Sequence, residues 1–79
     1  MVEAYILIKV KVGVERKVVD KLQSLKEIKD INELYGEWDI IAKIEVATIE
    51  DLDALITEKI RDIGDIELTS TMIVAKYVR

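Results

Sequence analysis

Few side chains among the 79 residues could do chemistry, and the absences decide much of what is possible. There is no His and no Cys. A Ser-His or Cys-His nucleophile therefore cannot be assembled, and a Cys/His zinc site is excluded with it. Carboxylates recur in pairs: Glu50 with Asp51, Asp51 with Asp53, and Asp62 with Asp65. Most fall on predicted helix exteriors or turns. Glu50, Asp51 and Asp53 serve better as charges at a helix N-terminus than as a catalytic pair. Gly13, Gly36 and Gly64 stand too far apart to cradle a phosphate, and each marks the end of an element. No constellation positions an enzyme.

Two local clusters stand out from this background. Tyr35-Gly36-Glu37-Trp38-Asp39 gathers a tyrosine, a glycine, the only tryptophan and two carboxylates into one turn. A small-ligand pocket could be built from it: a carboxylate for a ligand ammonium, free turn amides for a ligand carboxylate, aromatic rings for walls. The same residues also suit a plain hairpin, in which Gly36 allows the bend, Trp38 adds apolar area and Asp39 bonds backbone amides. Further on, Thr69-Ser70-Thr71 puts three hydroxyls in a row within an apolar stretch. They could donate into a polar pocket, or they could reflect the strand propensity of Thr. Thr69 and Thr71 share a face in either case.

The elements that must carry these clusters follow from periodicity. Residues 2–12 alternate, with Val2, Ala4, Ile6, Ile8, Val10 and Val12 on one side, which predicts a strand. Gly13 interrupts it. Val18, Val19, Leu22 and Leu25 have helical spacing within a predicted helix from Glu15 to Lys26. Ile28 to Tyr35 reads as a polar strand suited to a sheet edge. Gly36 and Glu37 turn the chain into a mostly apolar, central strand, Trp38 to Val46. Thr48 and Asp51 have capping-box spacing before a second helix that runs to Ile63, with Leu52, Leu55, Ile56, Ile60 and Ile63 as its buried stripe. Gly64 closes that helix as a left-handed C-terminal glycine would. Ile66 to Val78 is the last strand. The order β-α-β-β-α-β is the plan of an α+β, ferredoxin-like fold: a four-stranded antiparallel sheet with both helices on one face and strands one and three central.

Such a chain is one domain, and a domain this small usually needs help to be stable. Disulfides and a Cys/His zinc site are excluded, so oligomerisation is expected. Tyr5, Leu7, Ile41, Met72 and Val74 can project from the uncovered sheet face, where a second copy could bury them. The net charge is −4, with twelve basic residues scattered among sixteen acidic ones. That balance argues against direct nucleic-acid binding. The longest apolar run of the first strand, Ala4 to Ile8, is broken by Lys9, so no membrane span is expected. With no signal peptide at the start, a soluble cytoplasmic protein is the plain reading.

The combination of Gly36-Glu37-Trp38-Asp39-Ile40 with Gly64-Asp65-Ile66-Glu67-Leu68-Thr69-Ser70-Thr71, one helix later, resembles the effector-binding (RAM) domain of the Lrp/AsnC transcription regulators. That family places a G-x-x-D-apolar element between strands two and three and a T-x-T element in strand four. The resemblance spans residues 2–78. It implies a sheet-to-sheet dimer, commonly assembled into an octamer or larger ring, that binds a free amino acid between dimers and needs no cofactor. It carries the ligand contacts onto Gly36, Glu37, Trp38, Asp39, Thr69, Ser70 and Thr71, with Tyr35 as a wall. The family's helix-turn-helix does not precede the first strand, so the chain reads as a stand-alone effector domain, 1–79, that regulates metabolism directly or by mixed assembly with full-length family members. An ACT-like domain shares the plan but would place its contacts near Gly13. A small dimeric α/β-barrel enzyme also pairs sheets but generally carries a His in its cavity. A metal-carrier domain would need a Cys-x-x-Cys near Val12-Gly13-Val14.

Overall fold

The computed structural model describes residues 1–79. The alternating segment forms β1 (Val2–Val10), followed by α1 (Glu15–Gln23), β2 (Ile28–Glu33), β3 (Ile40–Val46), α2 (Ile49–Ala54, continued as a π-helical segment Leu55–Ile60) and β4 (Ile66–Ile73). The strands make one antiparallel sheet in the order β2-β3-β1-β4. β1 and β3 are therefore central, and the polar β2 lies at an edge, as its composition predicts.

Period two sorts the central strands into faces. Ala4, Ile6, Ile8 and Val10 pack with Ile40, Ala42, Ile44 and Val46 in a single core that also holds Val18, Val19 and Leu22 of α1 and Leu52, Leu55 and Ile60 of the second helix. Both helices thus cover the same face. Burying a branched aliphatic side chain fully is worth about 1.5–3 kcal/mol, and this single cluster supplies most of the stabilisation. No polar side chain is fully buried.

The N-cap half of the capping box forms: the Thr48 hydroxyl accepts from the Asp51 backbone amide at 3.1 Å. The second helix then departs from α geometry. The Arg61 amide donates to the Ile56 carbonyl, five residues back, at 3.0 Å. Five residues on an α-helix are about 140° apart. The wider turn brings Leu55 and Ile60 into the core together and leaves Ile56 only half-buried. The helix ends at Ile60, and Gly64 is not left-handed; only Gly13 (φ 89°) and Gly36 (φ 134°) have positive φ.

The elements are shorter than periodicity predicts. β1 stops at Val10 and Val12 is almost fully exposed, because its pairing with β4 shifts register at Lys9/Val10 and leaves Glu67 out of the ladder. α1 gives way to a turn at Ser24, whose amide bonds the Lys21 carbonyl at 3.2 Å, although Leu25 still packs on the core. β2 ends at Glu33 and β3 begins at Ile40, so Trp38 belongs to the connection. β4 ends at Ile73, opposite Ala4; the Val74 amide still donates to the Glu3 carbonyl at 2.8 Å, and residues 75–79 leave the sheet.

Candidate functional site

The connection between β2 and β3 is pinned to the end of β1 by its own sequence. The Leu34 amide bonds the Asp39 carbonyl at 2.8 Å and closes the loop. The Asp39 amide donates to the Ile8 carbonyl at 3.0 Å, and the Asp39 carboxylate accepts from the Val10 amide at 2.9 Å. The Lys9 ammonium bonds the Glu37 carbonyl at 3.1 Å. Gly36 sits at φ 134°, a conformation that disfavours any side chain, with open space where a Cβ would be. One Asp39 oxygen is thus committed to the fold, and a carboxylate has acceptor capacity beyond one bond.

Beside this connection lies an open cleft of about 500 Å³, lined by Glu15, Glu33, Leu34, Tyr35 and Asp39. Tyr35 is fully exposed at its rim. Three carboxylates give the cleft a negative lining suited to an ammonium group. Arg16, which pairs with Glu33 at 3.3 Å, stands next to it as a cation. Sequence reasoning named Tyr35 and Asp39 but missed Glu15, Glu33 and Leu34. Glu15 reaches the cleft from the start of α1, a proximity that only the tertiary fold creates. Gly36, Glu37 and Trp38 shape the connection without lining the cleft.

The hydroxyl cluster lies elsewhere. Thr69, Ser70 and Thr71 pair with Ile8, Leu7 and Ile6, on the side of β1 away from β3. Register sends Thr69 and Thr71 to the helix-covered side and Ser70 to the open side. Two strand spacings, about 10 Å in all, separate them from the turn, and none lines the cleft. One chain therefore does not bring the two clusters into a common pocket.

A second cleft of about 340 Å³ sits at the opposite end of the domain, between the α1–β2 connection and the π-helical segment. There the Lys59 ammonium meets Glu27 Oε2 at 3.1 Å, while Glu27 Oε1 has no partner. A hydrogen bond from the Glu27 backbone amide, reinforced by Lys59, holds the Glu27 carboxyl below its ordinary value of 4.5. At Gly13 the backbone amide is already directed to the Glu15 carboxylate at 3.4 Å. No group of three or more acidic side chains is gathered as a metal site, and no helix is long and apolar enough to cross a membrane.

The element order and sheet topology define a class, the small ferredoxin-like βαββαβ modules, and comparison with known proteins narrows it. The family model described as the Lrp/AsnC ligand binding domain matches residues 3–79. The chain belongs to that family, whose members are ligand-binding domains of transcription regulators rather than enzymes. It is 38% identical over 73 residues to the HTH-type transcriptional regulator FL11 of Pyrococcus abyssi, covering 92% of this chain and 48% of FL11. It spans about half the length of the curated relatives it matches first. Among solved structures, it is similar to the hypothetical protein PHS023 of Pyrococcus horikoshii, with 47% identity, a TM-score of 0.91, and coverage of 98% of this chain and 93% of that one. It is also similar to AsnC of E. coli, with 28% identity, a TM-score of 0.92, and coverage of 96% and 52%.

Proposed function

We propose that this chain is an amino-acid-binding module that works as a homo-oligomer and acts in transcriptional or metabolic regulation without itself contacting DNA. The observation that carries this reading is the open cleft beside the β2–β3 connection. It offers carboxylates for a ligand ammonium and an exposed aromatic wall, yet stands apart from the hydroxyls of β4. A neighbouring subunit would supply what one chain lacks. In the assembly, two sheets pack face to face, dimers join into an octamer or larger ring, and the amino acid sits between dimers against Tyr35, Gly36, Glu37, Trp38 and Asp39, with Thr69, Ser70 and Thr71 contributing. Ligand that binds the assembled form preferentially shifts the equilibrium towards it. In the cytoplasm the same module could assemble with full-length members of its family and so transmit the amino-acid signal to DNA.

The test is a screen of all twenty amino acids by thermal shift and calorimetry, with oligomeric state measured in parallel. At least one amino acid is expected to raise the melting temperature and enlarge the assembly, with both effects lost in Tyr35→Ala. A folded sample that responds to none of the twenty removes the amino-acid reading.

A further inference from the structure

The uncovered sheet face is not uniformly apolar. Register places Tyr5, Leu7, Ile41, Leu68, Ser70 and Met72 on it. At one end it also carries a compact ion cluster. Lys43 Nζ lies 3.4 Å from Glu3 Oε2 and 3.9 Å from Glu45 Oε2. These three side chains expose only 27%, 35% and 27% of their area although nothing covers the face. Each is thus about two-thirds shielded by its own neighbours. Hydrogen bonding to Glu3, with the charge of Glu3 and the neighbouring Tyr5, holds the Lys43 ammonium above its ordinary value of 10.5.

The occupant of this face is a second copy of the chain, on two grounds. The first is charge. Glu3, Lys9, Asp30, Lys43 and Glu45 are the ionisable strand residues assigned to the face besides Tyr5. Three acids and two bases leave −1 there, out of −4 for the chain. A nearly neutral face opposes the approach of a second copy only weakly. The second is area. The molecule measures 34 × 27 × 18 Å, and in a two-layer fold the thin dimension runs across the layers. The sheet face then matches the roughly 800 Å² per partner of a standard stable interface.

We propose that Glu3, Lys43 and Glu45 form a reciprocal ion cluster between two copies, which makes the sheet-to-sheet contact selective for self. This inference rests on the sheet-to-sheet dimer of the proposed function. Lys43 is satisfied chiefly by Glu3, so Glu45, at the longer distance, keeps acceptor capacity. In a two-fold contact residue i meets residue j and j meets i, so Lys43 of each copy can complete its coordination with Glu45 of the other. A cation already neutralised in its own chain can be buried where a bare one could not. Removing one member of such a cluster leaves its partners buried and unpaired.

The experiment measures self-association by sedimentation for wild type, Lys43→Glu, Glu45→Lys, the Lys43→Glu/Glu45→Lys double variant and Leu7→Asp, with circular dichroism confirming that each is folded. Each single charge reversal is expected to weaken the dimer by roughly tenfold or more. The double variant should recover self-association but pair poorly with wild type. If Leu7→Asp abolishes the dimer while the single reversals leave it unchanged, the dimer stands and the ion cluster is overturned. The ion cluster is equally overturned if the double variant pairs with wild type as well as with itself. If Leu7→Asp also leaves association unchanged, the face is not the interface and both readings fall.

Discussion

At the scale of single residues, Asp39 has one job in the fold and a second in the proposed function, and a suitable pair of substitutions separates them. Its carboxylate accepts from the Val10 amide at 2.9 Å and so fixes the end of β1 to the turn. Asp39→Ala leaves that amide without its acceptor and is expected to cost about 2 kcal/mol of stability in chemical denaturation. Asp39→Asn keeps an acceptor but loses the charge, so it should retain most of the stability while losing affinity for an amino-acid ammonium, as read by calorimetry. Glu27 gives a pH signature. Its folded-state pKa lies below 4.5, so the stability it contributes is present above about pH 4.5 and is lost as pH falls through the lower folded value. Thermal melts of wild type should decline more steeply below pH 4.5 than those of Glu27→Gln. The candidate residues Tyr35 and Asp39 were legible because aromatic, glycine and carboxylate crowd one turn. Glu15 was not, since from sequence it is an ordinary acidic residue in the first turn of a helix, and only the packing of α1 against the sheet brings it to the cleft.

At the scale of elements, sequence reading succeeded where a local pattern had a local cause. β1 alternates cleanly, and every even residue from Ala4 to Val10 is buried. The Thr48 cap was visible from spacing alone. Thr48→Ala is expected to cost about 1 kcal/mol, measured as a lowered melting temperature with an unchanged circular dichroism spectrum. Reading failed where the cause lay in another strand or another turn type. Val12 and residues 75–78 continue the apolar alternation of their strands, but they lie outside the β1–β4 ladder. A strand ends where pairing ends, whatever its propensity. The separation of Thr69-Ser70-Thr71 from the β2–β3 turn is likewise a matter of register, set by strand order rather than by either motif. The stripe read for the second helix, Leu52, Leu55, Ile56, Ile60 and Ile63, does pack on the core; what period 3.6 does not foretell is the π-helical turn that leaves Ile56 only half-buried.

At the scale of the whole molecule, 79 residues with no disulfide and no gathered metal ligands fold around one apolar layer, while the other sheet face stays open. The melting temperature should therefore rise with protein concentration, since association stabilises the folded form by mass action, and Leu7→Asp should abolish that dependence. A melting temperature independent of dilution in wild type would make the isolated chain self-sufficient. The overall plan was legible because two helices and four strands of these lengths admit few topologies. The proposed assembly has no motif of its own in the sequence, only a need for burial, since no single-chain pattern records which copy faces which. The widened turn between Ala54 and Arg61 has a further meaning for how this fold tolerates change in chain length. Its interior holds one residue more than a regular helix would use between Leu55 and Ile60. Deleting Thr57, an exposed position within it, should let the segment close into an ordinary helix with both ends still seated, a one-residue deletion absorbed without moving a loop, and a folded product with slower amide exchange across 55–61 would show it.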